Sequence, residues 1–125
     1  MKLTCTIIDE DPLNTDMIEY YINKTDDVML MNKSNKANNM LDLIKKGRPN
    51  IVFLDINLMG IERVNFDDIF QKNIFYIFVT RYPKGYIMDI LPTDFSNCGY
   101  LGKPVSYNLF TKEISRIKET MQLTA

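Results

Sequence analysis

The chain contains no histidine and no tryptophan, and its two cysteines, Cys5 and Cys98, stand far apart in the sequence. Without histidine there is no Ser-His or Cys-His pair for nucleophilic catalysis. Two isolated cysteines also provide no thiolate and imidazole cluster of the kind that binds zinc. We interpret both cysteines as small buried hydrophobic residues that stay reduced.

Basic clusters and long apolar runs are missing as well. The 15 Lys and Arg residues are matched by 16 Asp and Glu residues, for a formal net charge of -1. This balance argues against direct binding of nucleic acid or of anionic membranes by this stretch. No apolar run approaches the roughly 18 to 20 residues of a membrane span, and the first residues do not form a signal peptide. The sequence therefore predicts a cytoplasmic location.

What the chain does have is the size and composition of one folded domain. It has 125 residues, of which 46% are hydrophobic and 25% are charged. These values are close to the average for soluble globular domains and far from those of disordered chains. We predict a single domain over residues 1–125.

Apolar runs alternate with amphipathic segments five times along the chain. The predicted strands cover residues 3–8, 28–31, 51–54, 74–79 and 98–101. The predicted helices begin at Pro12 and after Ser106, and cover residues 37–44, 64–70 and 84–91 between them. Runs 51–54 and 74–79 are almost continuously apolar, as in parallel strands covered on both faces. The pattern predicts a doubly wound α/β fold, in which five parallel strands in the flavodoxin-like order 2-1-3-4-5 are flanked by five helices.

Polar residues follow four of these five strands. Asp9 and Glu10 follow the first strand, Asp55 the third, Thr80 the fourth and Lys103 the fifth. Ligands of open parallel sheets bind outside the carboxyl ends of the strands, so we expect these residues in one crevice. Clustered carboxylates recruit a cation, and oxygen ligands alone favour a hard ion such as Mg²⁺. The site is suited to attack by a carboxylate on a phosphoryl group, which gives an acyl phosphate.

Four segments of the chain resemble the signature segments of response-regulator receiver domains, which are CheY-like. They are residues 7–12 (IIDEDP), residues 51–57 (IVFLDIN), Thr80, and residues 99–104 (GYLGKP). The first and last of these look most similar to receivers attached to LytTR-type DNA-binding domains. The resemblance covers essentially the whole chain.

This resemblance implies a role for each matching residue and a set of partners. It implies that Asp55 is phosphorylated, and that Asp9, Glu10, Asp55 and the backbone carbonyl of Asn57 form a Mg²⁺ (or Mn²⁺) site. It also implies that Thr80 and Lys103 contact the phosphoryl group, and that Thr80 and Tyr100 are the switch residues. The phosphodonor would be a phosphohistidine of a sensor histidine kinase. Such a domain is no enzyme beyond its own phosphorylation and dephosphorylation.

Receivers of this kind also commonly pair through the face of their fourth and fifth helices. In this chain that face would include Tyr86, Met88, Tyr107 and Lys112, which predicts a homodimer. A DNA-binding output domain elsewhere in the full-length protein is compatible with the resemblance.

Three positions depart from the family pattern. Met59 stands where the family usually has proline, Arg63 where it has glycine, and Arg81 where it has a small residue. We expect Met59 and Arg81 to modulate access to Asp55, and Arg81 to shield the phosphoryl group from water.

The same departures keep open a second function, that of a pseudo-receiver that binds a partner protein without phosphorylation. Two enzymes of similar topology fit less well. An aspartate-nucleophile phosphatase needs a second acid where Asn57 stands, and a flavin carrier needs a glycine-rich and hydroxyl-rich loop after the first strand.

Overall fold

The computed structural model describes residues 2–36, 40–59, 70–90 and 97–124. Its strands are β1 (Leu3–Ile8), β2 (Val28–Ser34), β3 (Ile51–Asp55), β4 (Phe75–Thr80) and β5 (Cys98–Gly102). Its helices are α1 (Pro12–Asn23), α2 (Met40–Gly47), α3 (Ile56–Met59), α4 (Lys84–Ile90) and α5 (Tyr107–Thr124). The strands form one sheet in the order β2-β1-β3-β4-β5, and each neighbouring pair is parallel.

The predicted sheet and strand order are confirmed, with two local differences. β2 continues three residues beyond the predicted end, and α3 is a single turn that the sequence did not predict. The helix predicted over residues 64–70 lies almost entirely outside the described residues, as do residues 37–39 of the second predicted helix. None of the helices described is long and apolar enough to cross a membrane.

Side-chain alternation along the strands builds a core on each face of the sheet. Phe53 of β3 packs on one face with Ile18 and Phe110, which come from α1 and α5. Its neighbours Val52 and Leu54 point to the opposite face, into the core that α2 and α4 cover. All five residues of β3 are buried, which explains why the predicted run was apolar without interruption.

The helices predicted to begin at Pro12 and after Ser106 both have a side-chain cap at their first turn. The Asp11 carboxylate accepts a hydrogen bond from the Leu13 amide at 3.0 Å, and Pro12 occupies the first helical position. The Ser106 hydroxyl accepts one from the Leu109 amide at 3.1 Å.

At the end of the sheet where the strands begin, neutral polar groups pair with one another. We call this end, formed by Thr4, Asn50, Ile74 and Asn97, the amino edge. The side-chain oxygen of Asn50 accepts hydrogen bonds from the Thr4 amide (2.8 Å) and the Thr4 hydroxyl (3.1 Å). The side-chain amide of Asn97 donates to the Ile74 carbonyl at 2.9 Å. These bonds link the start of β1 to that of β3, and the start of β4 to that of β5.

Candidate functional site

The opposite end of the sheet gathers the charged residues. We call this end, formed by Asp9, Asp55, Thr80 and Lys103, the carboxyl edge. The parallel register pairs Ile8 with Leu54 and Asp55 with Val79, so strand ends that are distant in sequence lie side by side. The predicted convergence of these strand ends is confirmed for the described residues.

Lys103 lies between two buried carboxylates. Its Nζ is 3.3 Å from Asp9 Oδ1 and 3.4 Å from Asp55 Oδ2, within ion-pair distance of both. The exposed fraction of these side chains is 6% for Lys103, 1% for Asp9 and 2% for Asp55. A single ammonium therefore serves two carboxylates in a place that water hardly reaches, which leaves an excess negative charge.

This excess charge shows in the acidity of Asp55. Burial, together with the nearby Asp9 carboxylate, raises the pKa of its carboxyl from 3.8 to about 6, against the opposing effect of Lys103. Asp55 is thus ionised at neutral pH, although its surroundings disfavour the charge. Perturbed acids of this kind are concentrated in functional sites.

Each buried carboxylate is held by the backbone that follows it. Asp9 Oδ1 accepts a hydrogen bond from the Asp11 amide at 2.9 Å, and Asp55 Oδ1 accepts one from the Asn57 amide at 2.9 Å. These local turns orient the two side chains toward Lys103 and limit their rotation.

A residue that the sequence reading missed completes this arrangement. Asn14 of α1 is buried, and its Nδ2 donates a hydrogen bond of 2.6 Å to Asp9 Oδ2. Its Oδ1 has no hydrogen-bond partner among the described residues. The available signal was its spacing, since Asn14 shares a helix face with the buried Ile18 and Ile22.

The two predicted switch residues meet at a third residue, Tyr82. Thr80 is fully buried, and its hydroxyl accepts a hydrogen bond from the Tyr82 amide at 3.1 Å. The Tyr100 hydroxyl donates to the Tyr82 carbonyl at 2.6 Å. Thr80 therefore binds the amide of Tyr82 and Tyr100 binds its carbonyl, so both side chains contact the same backbone segment after β4. Tyr82 was not predicted, because it takes part through its backbone.

Other predicted residues lie at the rim of the site or beyond it. Glu10 is exposed, and the Arg81 guanidinium, whose side chain is 76% exposed, lies 3.9 Å from the Asp11 carboxylate across the mouth of the site. The predicted contribution of Asn57 to a metal site is its carbonyl; the contact seen here is made by its amide. The side chain of Met59 and all of Arg63 lie outside the described residues.

The donor set suits a hard divalent cation. All its candidate side-chain ligands are oxygens, and Asp9 and Asp55 share one ammonium. The Asn14 amide, whose Oδ1 has no partner among the described residues, contacts Asp9 through Nδ2. The described residues contain no group of three or more His, Cys, Asp or Glu side chains in metal-binding proximity. Because Mg²⁺ is usually held by one or two carboxylates with water at its other positions, two acids are sufficient.

The predicted dimer face needs one correction. Tyr86, Met88 and Lys112 are exposed, as expected for a surface. Tyr107 instead packs against α1, with its ring centroid 5.2 Å from that of Tyr21 and 4.1 Å from Lys24 Nζ. The helical rotation of α5 thus directs Tyr107 away from α4.

Comparison with known proteins identifies relatives by sequence. No family model matches the chain. The Sensory transduction protein LytT of Oceanobacillus iheyensis is 27% identical over 128 residues, covering 97% of this chain and 50% of that protein. Its counterpart in Bacillus anthracis is 24% identical over 123 residues, covering 96% of this chain and 49% of that protein. The chain spans about half the length of these curated relatives.

Solved structures with the same fold are numerous. A two-component response regulator of the LuxR family from Aurantimonas sp. SI85-9A1 aligns with a TM-score of 0.75 at 16% identity, over 94% of this chain and 85% of that one. The receiver domain of AraT, a response regulator from Geobacillus stearothermophilus, aligns with a TM-score of 0.74 at 15% identity, over 99% and 98% of the two chains. At these identities the likeness establishes the fold.

Proposed function

We propose that this chain, whose fold is that of a response-regulator receiver domain, is a phosphoacceptor switch of two-component signalling. The observation that carries the proposal is the buried triad of Asp9, Lys103 and Asp55 at the carboxyl edge. In this triad an ionisable carboxylate with a raised pKa stands beside an ammonium and a second acid. This combination suits transfer of a phosphoryl group to Asp55.

In the proposed reaction, a carboxylate oxygen of Asp55 attacks the phosphorus of a kinase phosphohistidine. A carboxyl oxygen to phosphorus bond forms, the phosphorus to nitrogen bond breaks, and the leaving imidazole takes up a proton. Lys103 Nζ, 3.4 Å from Asp55 Oδ2, offsets negative charge on the transferring oxygens. Because the pKa of Asp55 is about 6, the nucleophilic form predominates at neutral pH.

The expected cofactor is Mg²⁺ (or Mn²⁺), which when bound neutralises charge on the carboxylates and on the phosphoryl oxygens. Asp9, Glu10, Asp55 and the backbone carbonyl of Asn57 would hold it, with Glu10 turning inward from its exposed position. The two carboxylates already present beside Lys103 support this assignment.

Phosphorylation would act on the surface through Tyr82. The product carries more negative charge than Asp55, and attracts the Thr80 hydroxyl and the Lys103 ammonium. Thr80 now holds the Tyr82 amide, and Tyr100 holds the Tyr82 carbonyl, so a movement of Thr80 shifts a peptide segment to which Tyr100 is bonded. The change would reach the surface of α4 and α5 by this route.

The proposed partner is a sensor histidine kinase, and the proposed location is the cytoplasm. We assign no catalysis to the chain beyond its own phosphorylation and dephosphorylation. Homodimer formation through α4 and α5, and control of transcription through a LytTR-type output domain, are further parts of the proposal.

The test is phosphorylation of the purified protein by acetyl phosphate with Mg²⁺, followed by intact mass. We expect a gain of one phosphoryl group in the wild type and none in Asp55→Asn. Asp42→Asn serves as the matched control, because Asp42 is an exposed acid on α2 and is not one of the residues that form the carboxyl edge. A phosphoryl group retained in Asp55→Asn would contradict the assignment of the phosphoacceptor.

The second candidate is a pseudo-receiver that binds a partner protein without phosphorylation. The exposure of Glu10, and the lack of a three-acid group in the described residues, favour this candidate. A wild-type protein that gains no mass with acetyl phosphate and Mg²⁺, and binds no divalent ion, would support it.

A further inference from the structure

Asn14 is a polar residue on the buried face of α1. Its side chain is 3% exposed. It lies four residues before Ile18 and eight before Ile22, on the same helix face, and both isoleucines are fully buried in the core. An amide at such a position carries two donors and an acceptor into a place where apolar side chains are the rule. Its contacts therefore call for an explanation.

Asn14 fixes the orientation of Asp9. Its Nδ2 donates to Asp9 Oδ2 at 2.6 Å, the Asp11 amide donates to Oδ1 at 2.9 Å, and Lys103 Nζ lies 3.3 Å from both oxygens. Both oxygens of the carboxylate are thus engaged. The amide of Asn14 cannot be flipped, because its oxygen would then face a carboxylate oxygen.

The fixed amide leaves Asn14 Oδ1 without a hydrogen-bond partner among the described residues. It is the one such buried side-chain atom within the described part of the chain. A buried acceptor without a hydrogen bond destabilises the folded state, and in native proteins a water or an ion usually satisfies it. Oδ1 belongs to the same planar amide whose Nδ2 contacts Asp9 Oδ2, so whatever satisfies it lies in the neighbourhood of Asp9.

We infer that Asn14 is a positioning residue of the divalent-cation site: its amide holds Asp9, and its side-chain carbonyl accepts a hydrogen bond from a water that hydrates the ion. This inference rests on the proposed function. Mg²⁺ gives up its water reluctantly and keeps several water ligands in protein sites, so an acceptor for such a water has a clear role. Residues that orient ligands in this way typically contribute about 10-fold or more to metal affinity.

The experiment measures binding of Mn²⁺ alone to the full chain, by calorimetry and by the electron paramagnetic resonance signal of free Mn²⁺. We expect Asn14→Leu to raise the Kd for Mn²⁺ by about 10-fold. Asn14→Ala, which removes atoms without adding any, is measured in parallel for the case that the larger side chain prevents folding. Asn23→Leu on the exposed end of the same helix is the matched control, with a Kd within about twofold of wild type.

A second readout separates positioning from a merely structural role. The rate of phosphorylation by acetyl phosphate is measured against Mn²⁺ concentration. We expect the Asn14 variants to need more Mn²⁺ for half-maximal rate, and to reach nearly the wild-type rate at saturation. A maximal rate that stays low at saturating Mn²⁺ would overturn the inference.

The outcomes also distinguish this inference from the proposed function. If the wild type binds Mn²⁺ and a folded Asn14 variant binds it within twofold as tightly, only the role of Asn14 is overturned. If the wild type binds no Mn²⁺, the metal step of the proposed function fails, and the role of Asn14 fails with it.

Discussion

The two edges of the sheet use polar residues in opposite ways. At the amino edge, Asn50 and Thr4 are neutral and satisfy one another through short hydrogen bonds. At the carboxyl edge, Asp9, Asp55 and Lys103 are charged, and a single ammonium serves two acids. The amino edge therefore stabilises the fold, whereas the carboxyl edge retains electrostatic strain.

This difference indicates where the fold is prepared for chemistry. A buried carboxylate with a raised pKa lies at the carboxyl edge, and Asn14, whose buried carbonyl has no partner among the described residues, contacts that edge through Asp9. Such groups persist where a ligand relieves them. The comparison predicts that substitutions at the carboxyl edge change reactivity and charge-dependent stability, while those at the amino edge change stability alone.

Lys103→Met should give the largest effect on stability. Removing the ammonium leaves two buried carboxylates without their shared partner, and breaking a buried ion pair from one side typically costs about 3 kcal/mol or more. We expect a loss of this size in urea unfolding at pH 7.5, together with a strong fall in the rate of phosphorylation by acetyl phosphate. Lys112→Met, at an exposed position of α5, is the control.

Asn50→Ala provides the counterpart at the amino edge. It leaves the Thr4 amide without its acceptor and should cost about 2 kcal/mol, with phosphorylation unchanged. If the rate of phosphorylation fell equally in Lys103→Met and Asn50→Ala, the distinction between the two edges would be wrong.

Asp55→Asn should change the free energy of unfolding by less than Lys103→Met does, and the change should depend on pH. The folded protein raises the pKa of Asp55 from 3.8 to about 6, so folding favours the protonated form. The stability associated with this proton is fully present below pH 3.8 and is lost as pH rises through about 6. In Asp55→Asn the side chain is a neutral amide that does not titrate, so this variant does not lose stability in this way as pH rises.

We therefore expect Asp55→Asn to match the wild type near pH 4 and to exceed it by about 2 kcal/mol at pH 8, without divalent ions. Urea unfolding in the presence of EDTA measures the difference, and Asp42→Asn controls for loss of an exposed charge. A wild type that gains stability relative to Asp55→Asn between pH 4 and 8 would contradict the raised pKa.

Much of the fold was predictable from the sequence, because buried parallel strands leave continuous apolar runs. β3 and β4 were placed within one residue on this basis. The end of β2 was not, since this strand lies at the edge of the sheet and its last residues are polar. Asn32 is accommodated there by a 2.6 Å hydrogen bond from the Thr6 hydroxyl, a contact that no local pattern encodes.

The site was predictable to the extent that it follows from strand ends. Asp9, Asp55 and Lys103 were expected to meet, and they do. Asn14 was missed because a helix face was read for its apolar residues, and Tyr82 because it acts through its backbone. The inward position expected of Glu10, and the metal itself, stay predictions.

Arg81→Ala should give the smallest effect of these four substitutions. The Arg81 guanidinium lies 3.9 Å from Asp11 Oδ2, and links the loop after β4 to the loop after β1 across the mouth of the site. Exposed ion pairs are weak, typically below about 1 kcal/mol, so the arginine shields the phosphoryl group only part of the time. We expect Arg81→Ala to hasten dephosphorylation about threefold, within that energy range.

Loss of the phosphoryl mass with time, after removal of acetyl phosphate, measures this rate. Arg48→Ala is the matched control, because Arg48 is an exposed arginine near the amino edge. Asp11→Asn should hasten the decay as well, since it removes the ionic partner of Arg81 and keeps a side chain that caps α1 equally well. An unchanged or slower decay in Arg81→Ala would refute shielding by the arginine. Faster decay in Asp11→Asn alone would assign the effect to the acid at position 11 instead of to Arg81.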